Sequence, residues 1–229
     1  MDYTYDHIAR MIDHSLLHPR LDIAHLQAGC HLAVEYQCAS VSVMPYFTRQ
    51  TAEILRGSTV ITGTTIAFPH GLNATATKVA ETRQAILDGV EELDMVSNVS
   101  LVLSEEWAMV RDDLQAVIEV AHDAGVIVKV IFENCYLDDA RKIALCEICS
   151  EIPADFVKTS TGFGSGGATL EDIQLMRAHA APHVMVKAAG GVRDLDSLLT
   201  LHAAGATRFG ATQTKPILDA VRERLAAKV

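Results

Sequence analysis

The sequence predicts an α/β fold, a single (β/α)8 TIM barrel over residues 1–229, because three observations agree. Eight short apolar runs alternate with eight segments of helical apolar spacing. No shift in composition and no long linker divides the chain. Its 229 residues, 49% of them hydrophobic, are enough for one large core. A doubly wound open sheet is the competing architecture, because it also alternates strands with helices.

Each strand is predicted from an apolar or β-branched run that turn or helix signals bound. Two of the helices between them carry clear end signals. The longest is predicted over Leu101–Gly125, with Gly125 as its C-cap, and another begins at Thr169, which is followed by acidic residues typical of a capped start. The predicted strands are Met11–Leu17, Ser40–Met44, Val60–Phe68, Glu92–Val96, Ile127–Glu133, Asp155–Ser160, His183–Ala188 and Arg208–Thr212.

Composition excludes several classes of function. A net charge of -10 and a pI near 5.4 argue against a nucleic-acid surface. The acidic, polar N-terminus is not typical of a signal peptide, and no apolar stretch reaches membrane-spanning length. The five cysteines are odd in number and scattered. A cytoplasmic protein with reduced thiols is therefore expected.

Three of the seven lysines lie in apolar, strand-like runs. Lys129 lies in Val-Ile-Val-Lys-Val-Ile-Phe, Lys158 lies in Asp-Phe-Val-Lys-Thr-Ser, and Lys187 lies in Val-Met-Val-Lys-Ala-Ala. Lysine is rarely buried unless it is paired or used. At a desolvated site its chemistry is usually imine formation or proton transfer.

Strand periodicity predicts that these lysines meet. In a barrel, active sites lie at the carboxyl ends of the strands, and side chains alternate along each strand. Lys158 therefore shares a face with Ser160, and Lys129 shares one with Glu133. With those faces directed inward, three ammonium groups converge with the carboxylates of Asp94 and Glu133.

Such a cluster suits nucleophilic catalysis. Lys158 and Lys187 lie on consecutive strands, and like charges at close range favour loss of a proton. The pKa of one lysine should fall from ~10.4 towards ~7–8, where the amine attacks a carbonyl. The resulting imine is an electron sink, and Asp94 is the natural proton relay. The structural alternative is an ion pair, such as Lys129 with Glu133 or Asp94; three lysines on neighbouring strands favour catalysis.

A phosphate site is the second prediction. The loops after the seventh and eighth strands of such barrels often bind phosphate. Here those loops contain Gly190 and Gly191, which permit close backbone approach, and Thr212 and Gln213, which can donate hydrogen bonds. The alternative is that the two glycines only make a tight turn.

Other motifs carry weaker signals. Gly162–Gly167 has the spacing of a dinucleotide-binding loop, but it comes late in the chain and no acidic residue ends the next strand. Cys146 and Cys149 form one pair without a second. No metal and no cofactor is therefore expected. Asp13 and His14 on the first strand are either polar groups of the pocket or a satisfied network at the barrel mouth.

The motifs together resemble those of the deoxyribose-phosphate aldolases, metal-independent class I aldolases with a (β/α)8 fold. The resemblance extends from Ile12 to about Thr212. Its most specific segments are Phe156–Gly164, which reads Phe-Val-Lys-Thr-Ser-Thr-Gly-Phe-Gly, and Val186–Arg193, which reads Val-Lys-Ala-Ala-Gly-Gly-Val-Arg. Supporting segments are Ile12–Leu17, Phe68–Gly71, Glu92–Val96 and Val128–Ile131.

The resemblance implies roles for the residues of the pocket. Lys158 would form the Schiff base with the donor acetaldehyde, and Lys187 would lower its pKa and assist proton transfer. Asp94 would belong to the proton relay, and Lys129 would support the charge network. The implied reaction is reversible cleavage of 2-deoxy-D-ribose 5-phosphate into acetaldehyde and D-glyceraldehyde 3-phosphate. Small aldehydes and a sugar phosphate are thus the expected partners, and a homodimer is expected because dimers are common in this family.

The chain departs from the family's pattern at two sites. Ser42 stands where the second strand usually has a cysteine, three residues before Pro45. Because that cysteine is linked to sensitivity towards reactive aldehydes, the change predicts better tolerance of acetaldehyde. Thr212 and Gln213 replace a common serine pair or Ser-Gly. The bulk of Gln213 predicts weaker selection for phosphorylated acceptors.

Two alternatives remain open from sequence. The first is another Schiff-base barrel enzyme, such as a transaldolase-like or keto-acid aldolase. The second is a barrel that binds a sugar phosphate without catalysis. The joint presence of Lys158, Lys187 and Asp94 argues against the second alternative, whereas Thr212 and Gln213 leave it open.

Overall fold

The computed structural model describes residues 3–227 and contains a closed barrel of parallel strands. Its strands are β1 (Ile12–Leu16), β2 (Ser40–Val43), β3 (Ile61–Ile66), β4 (Glu92–Val96), β5 (Ile127–Ile131), β6 (Phe156–Lys158), β7 (Met185–Ala189) and β8 (Arg208–Ala211). Each strand pairs with its neighbours in chain order, and β8 pairs with β1. This closure confirms the predicted (β/α)8 barrel and excludes an open sheet.

Helices follow the strands and cover the outside of the barrel. They are α1 (Tyr5–Ala9), α2 (Ile23–Glu35), α3 (Thr48–Leu55), α4 (Thr75–Leu87), α5 (Val99–Leu103), α6 (Trp107–His122), α7 (Asp139–Glu151), α8 (Leu170–His179), α9 (Leu195–Ala203) and α10 (Thr214–Ala226), with 3-10 turns at Pro45–Phe47 and Asn134–Tyr136. Within residues 3–227, no helix is long and apolar enough to cross a membrane.

The prediction of one helix over Leu101–Gly125 is wrong. The segment is divided between α5 and α6, because Glu105 adopts a left-handed conformation with φ of 57°. Gly125 closes the turn after α6: its φ is 73°, and the next amide, that of Val126, donates to the carbonyl of Ala121 at 2.9 Å. This is the hydrogen bond of a Schellman motif, which favours glycine at the left-handed position.

The start of α8 agrees with the sequence. Thr169 is the N-cap residue, and its side chain accepts a hydrogen bond from the amide of Asp172 at 3.1 Å. The preceding strand is shorter than predicted: β6 ends at Lys158, and the chain then turns into the glycine-rich loop. Lys158 therefore stands at the last position of its strand, at the carboxyl end where barrel enzymes hold their sites.

The two faces of the sheet carry different kinds of side chain. Apolar side chains such as Val41, Leu93 and Val128 are fully buried in the core beneath the helices. The residues that alternate with them point into the barrel, where Asp94 and Lys129 form ion pairs across the strands. Barrel interiors are usually filled with branched apolar side chains. Buried charge in that place is costly and marks the interior as a candidate site.

Candidate active site

Among residues 3–227, seven charged side chains from six strands meet inside the barrel. All of them are buried except Arg208, whose side chain is 15% exposed. The members of this buried cluster are Asp13 from β1, Glu92 and Asp94 from β4, Lys129 from β5, Lys158 from β6, Lys187 from β7 and Arg208 from β8.

Asp94 is the centre of the outer half of the cluster. Its Oδ2 atom accepts from the Nζ atoms of Lys158 and Lys187, each at 2.6 Å. Its Oδ1 atom accepts from Nζ of Lys129 at 3.0 Å. The barrel register explains this convergence, since Lys158 is the direct partner of Lys187 across β6 and β7, and Asp94 is the partner of Lys129 across β4 and β5.

Asp13, Glu92 and Arg208 form the inner half of the cluster. Asp13 forms an ion pair with Nζ of Lys187 at 2.5 Å and accepts a hydrogen bond from Nη1 of Arg208 at 2.7 Å. Glu92 lies 2.5 Å from Nζ of Lys129 and 3.2 Å from Arg208. From sequence, the role of Asp13 was open, and Glu92 and Arg208 were not predicted as members of the cluster. Glu92 could have been found, because it lies two residues before Asp94 and therefore on the same face.

The proton affinities within the cluster differ. Burial lowers the pKa of Lys158 to about 8; Asp94 opposes this shift, and the ammonium of Lys187 adds to it. The like charge of Lys187, predicted from sequence as the cause, is therefore secondary to burial. For Lys129, burial acts to lower the pKa, but the surrounding Asp13, Asp94 and Glu92 raise it above its ordinary value. Lys158 is thus poised to lose a proton, and Lys129 keeps its own.

Asp94 is held as a carboxylate. Burial acts to raise its pKa, but Lys129, Lys158 and Lys187 together keep that pKa well below the ordinary value. An ionised oxygen that receives two ammonium groups can pass a proton between them with little movement. The arrangement can therefore place a neutral amine, that of Lys158, directly beside a proton relay through Asp94.

The prediction that the carboxylate of Glu133 joins the lysines is wrong. Because β5 ends at Ile131 and Glu133 adopts a left-handed conformation with φ of 59°, strand alternation does not reach it. Its carboxylate instead accepts hydrogen bonds from the backbone amide of Thr161, at 3.1 Å, and from the Thr161 hydroxyl. Glu133 therefore anchors the loop that follows Lys158.

Ser160 belongs to that loop, and Gly190 of the predicted phosphate site lies against it. Ser160 is fully buried, and among the described residues its Oγ atom has no hydrogen-bond partner. Gly190 and Gly191 have φ of 82° and 86°, a region that favours glycine. A Cβ atom on Gly167 would lie 2.2 Å from the carbonyl oxygen of Gly190. The loops after β6 and β7 are thus packed backbone against backbone, where no side chain fits.

Thr212 and Gln213 are exposed at the end of β8. The next residue, Thr214, begins α10 and is buried, and its hydroxyl lies 2.8 Å from Nδ1 of His14. Burial lowers the pKa of His14 to about 4, so its imidazole is neutral at neutral pH. The open question about Asp13 and His14 is thereby answered: Asp13 belongs to the buried cluster, and His14 belongs to a network that holds the loop after β8.

A hollow of about 280 Å³ opens beside the loop after β6. Its walls include half-exposed apolar side chains, and it shares Glu133 and Thr161 with that loop. The rim of the barrel is therefore apolar on this side. The exposed apolar residues of this rim are Leu72, Leu103, Tyr136 and Phe163.

Comparison with known proteins identifies the family. The sequence model of the DeoC/LacD family aldolases matches residues 7–214 of this chain. The chain belongs to this aldolase family. It is 53% identical to a deoxyribose-phosphate aldolase of Rhodopirellula baltica over 224 residues, which cover 98% of this chain and 93% of that one. The predicted resemblance is confirmed, and with it the assignment to the lyases.

Solved structures agree with this membership. A putative deoxyribose-phosphate aldolase from Coccidioides immitis superimposes with a TM-score of 0.92 and 34% identity, over 96% of this chain and 87% of that one. A deoxyribose phosphate aldolase from Aeropyrum pernix, described as a unique tetramer, gives a TM-score of 0.90 and 26% identity, over 96% and 93%. These two structures therefore have the same fold as this chain and a similar sequence.

Proposed function

We propose that the protein is a class I aldolase that reversibly cleaves 2-deoxy-D-ribose 5-phosphate into acetaldehyde and D-glyceraldehyde 3-phosphate. The observation that carries this proposal is the single Asp94 oxygen that accepts from Lys158 and Lys187, each at 2.6 Å. The name of the Rhodopirellula baltica relative, at 53% identity, supports the choice of substrate.

Lys158 acts as the nucleophile. Its neutral amine adds to the aldehyde carbon C1 of the open-chain sugar, and loss of water leaves a protonated imine. A pKa of about 8 makes about a tenth of this amine available at pH 7, far more than at the ordinary pKa of lysine. Lys187 and Asp94 take up and return the protons of addition and dehydration.

Cleavage then breaks the bond between C2 and C3. The C3 hydroxyl gives up its proton, C3 becomes the aldehyde of glyceraldehyde 3-phosphate, and the electron pair of the broken bond flows into the imine to form an enamine. A proton returns to the former C2, and water releases acetaldehyde from Lys158. Oδ2 of Asp94 lies 2.6 Å from the Nζ atoms of both Lys187 and Lys158, which suits this relay.

The acceptor end of the substrate lies towards the loops after β6, β7 and β8 in this proposal. Gly190 and Gly191 present backbone to a phosphate, Thr212 and Gln213 lie at the rim beside it, and Ser160 offers a hydroxyl without a hydrogen-bond partner among the described residues. Lys129 keeps Asp94 ionised and oriented through its bond at 3.0 Å. No metal or organic cofactor enters the proposed steps.

Reductive trapping tests the proposal. Borohydride added with acetaldehyde should reduce the imine, add an ethyl group to Lys158 and abolish activity, and peptide mapping should find the group there. The K158R variant should lose both trapping and cleavage. Labelling of another lysine, or trapping by pyruvate or dihydroxyacetone phosphate in place of acetaldehyde, would favour a different Schiff-base aldolase. Binding of the sugar phosphate without trapping or turnover would favour a non-catalytic barrel.

We also propose that the protein works in the cytoplasm as a homodimer. Five free cysteines, four of them buried, support a reducing compartment. The apolar rim at Leu72, Leu103 and Tyr136 supports self-association. Light scattering after size exclusion measures the mass; a monomer, or a tetramer such as that described for the Aeropyrum pernix enzyme, would replace the dimer.

A further inference from the structure

The inner end of the buried cluster contains a pair that does not touch the proposed nucleophile. Nη1 of Arg208, at the start of β8, lies 3.2 Å from Oε2 of Glu92, at the start of β4. Arg208 is linked to Lys158 through chains of alternating charges; in one of them, Asp13 pairs with Arg208 at 2.7 Å and with Lys187 at 2.5 Å. The pair is thus connected to the reacting amine but remote from substrate.

The charge of this pair affects the net charge of the whole buried cluster. With all groups ionised, the cluster holds four cations and three carboxylates, and so one positive charge in excess. A net charge in a buried site is costly, and loss of one proton removes it. β2 and β3 do not change the count, since the side chains they direct inward among the described residues, such as Ser42, are uncharged.

Ion pairing decides which cation gives up its proton. Lys129 has three carboxylate partners, whereas Lys187 and Arg208 have two each. Lys158 is paired with Asp94 alone among the residues that the structure describes. The excess charge of the cluster is therefore removed most easily at Lys158.

We propose that Arg208 and Glu92 are positioning residues that keep Lys158 reactive by setting the charge balance of the buried cluster. The proposal rests on the proposed function, because it concerns the nucleophile of that reaction. If Arg208 loses its charge, the cluster is balanced with Lys158 protonated, so the amine should hold its proton more tightly. If Glu92 loses its charge, the excess doubles, so Lys158 should release its proton more easily.

The test compares pH profiles of kcat/KM for cleavage in R208Q, E92Q and the double variant R208Q/E92Q. Only neutral Lys158 attacks, so kcat/KM rises with pH through the pKa of this lysine. The midpoint of this rise should move up by roughly one unit in R208Q and down by roughly one unit in E92Q. It should return to the wild-type position in the double variant, where the numbers of cations and carboxylates again differ by one.

Two further variants separate charge from structure. R208K keeps the charge and should keep the wild-type midpoint even if its kcat falls. K142Q breaks another buried ion pair, that of Lys142 with Asp172 at 2.7 Å, outside the cluster. It should lower the melting temperature without moving the profile, which shows that loss of a buried pair alone does not have this effect.

The proposal is overturned if R208Q and E92Q lose activity with unmoved midpoints, move in the same direction, or are not corrected by the double variant. E92Q leaves every cation of the cluster with a carboxylate partner, so its profile decides the matter if R208Q does not fold. Failure of the proposed function is a separate result, since wild-type enzyme would then show neither cleavage nor trapping with acetaldehyde.

Discussion

Lys158 and Lys187 are direct partners across β6 and β7, and their ammonium groups share one oxygen of Asp94. Two cations on one carboxylate oxygen leave one positive charge uncompensated at that point. Because Lys187 also forms an ion pair with Asp13 at 2.5 Å, the uncompensated charge falls on Lys158. This asymmetry between two otherwise similar lysines is the physical basis for assigning one as nucleophile and the other as its assistant.

The first prediction concerns pH. Lys158 has its pKa lowered to about 8, chiefly by burial, and must be neutral to attack. We therefore expect kcat/KM for cleavage to rise from pH 6 with a midpoint near 8 and to level off above it. Stopped assays in overlapping buffers measure the profile. A rise that continues beyond pH 10 would mean that the nucleophile has the ordinary pKa of lysine.

The second prediction concerns Asp94. In D94N the proton relay is lost, and we expect kcat to fall by about 10²–10⁴-fold. Trapping with acetaldehyde and borohydride should persist, because the carboxylate opposes the lowering of the Lys158 pKa and its loss favours the neutral amine.

The matched control for D94N is D113N. Asp113 holds the buried Lys78 at 2.6 Å, outside the cluster, so its loss should reduce stability with little change in kcat. If the kcat of D94N stays within about threefold of the wild-type value, Asp94 is not part of the proton relay.

The third prediction concerns tolerance of acetaldehyde. Ser42 is buried inside the barrel, and its Oγ atom would lie 3.3 Å from a Cβ atom on Gly63, beside Glu92. A thiol there is a stronger nucleophile towards reactive aldehydes than a hydroxyl. We expect S42C to lose activity faster than wild type during incubation with acetaldehyde.

Ser40 is the matched control for Ser42. It lies on the same face of β2, two residues nearer the amino end, and is also buried. S40C should resemble wild type in the same time course of residual activity, with mass spectrometry to locate any adduct. Equal half-lives for S42C and wild type would show that this position does not govern tolerance.

The fourth prediction concerns phosphate. Gln213 is exposed after β8 and makes no side-chain capping bond to α10. We expect a modest ratio of kcat/KM for deoxyribose 5-phosphate over deoxyribose, and a several-fold increase of this ratio in Q213S, because a smaller side chain lets the phosphate approach the backbone amides. Q27S, an exposed change on α2, should leave the ratio unaltered. A large phosphate preference in wild type would contradict the idea.

Local pattern was enough to predict the barrel and the strands that carry the buried lysines. The alternation of apolar runs predicted the strand order, and the period of two along each strand placed Lys158 and Lys129 inward. The same rule failed at Glu133, where the strand had already ended and the backbone is left-handed. The break at Glu105 between α5 and α6 was missed for a similar reason, since no glycine or proline marks it.

The sequence by itself determined the fold class, the order of the strands and which lysines face inward, because these depend on patterns within a few residues. Only the tertiary structure decided which charges share an oxygen. Lys78 and Lys142 are also buried, yet each lies on a helix and pairs with aspartate outside the barrel. Closure of β8 onto β1 brings Arg208 to Asp13 and completes the cluster around Lys158. Such contacts join residues far apart in the chain, so no local pattern encodes them.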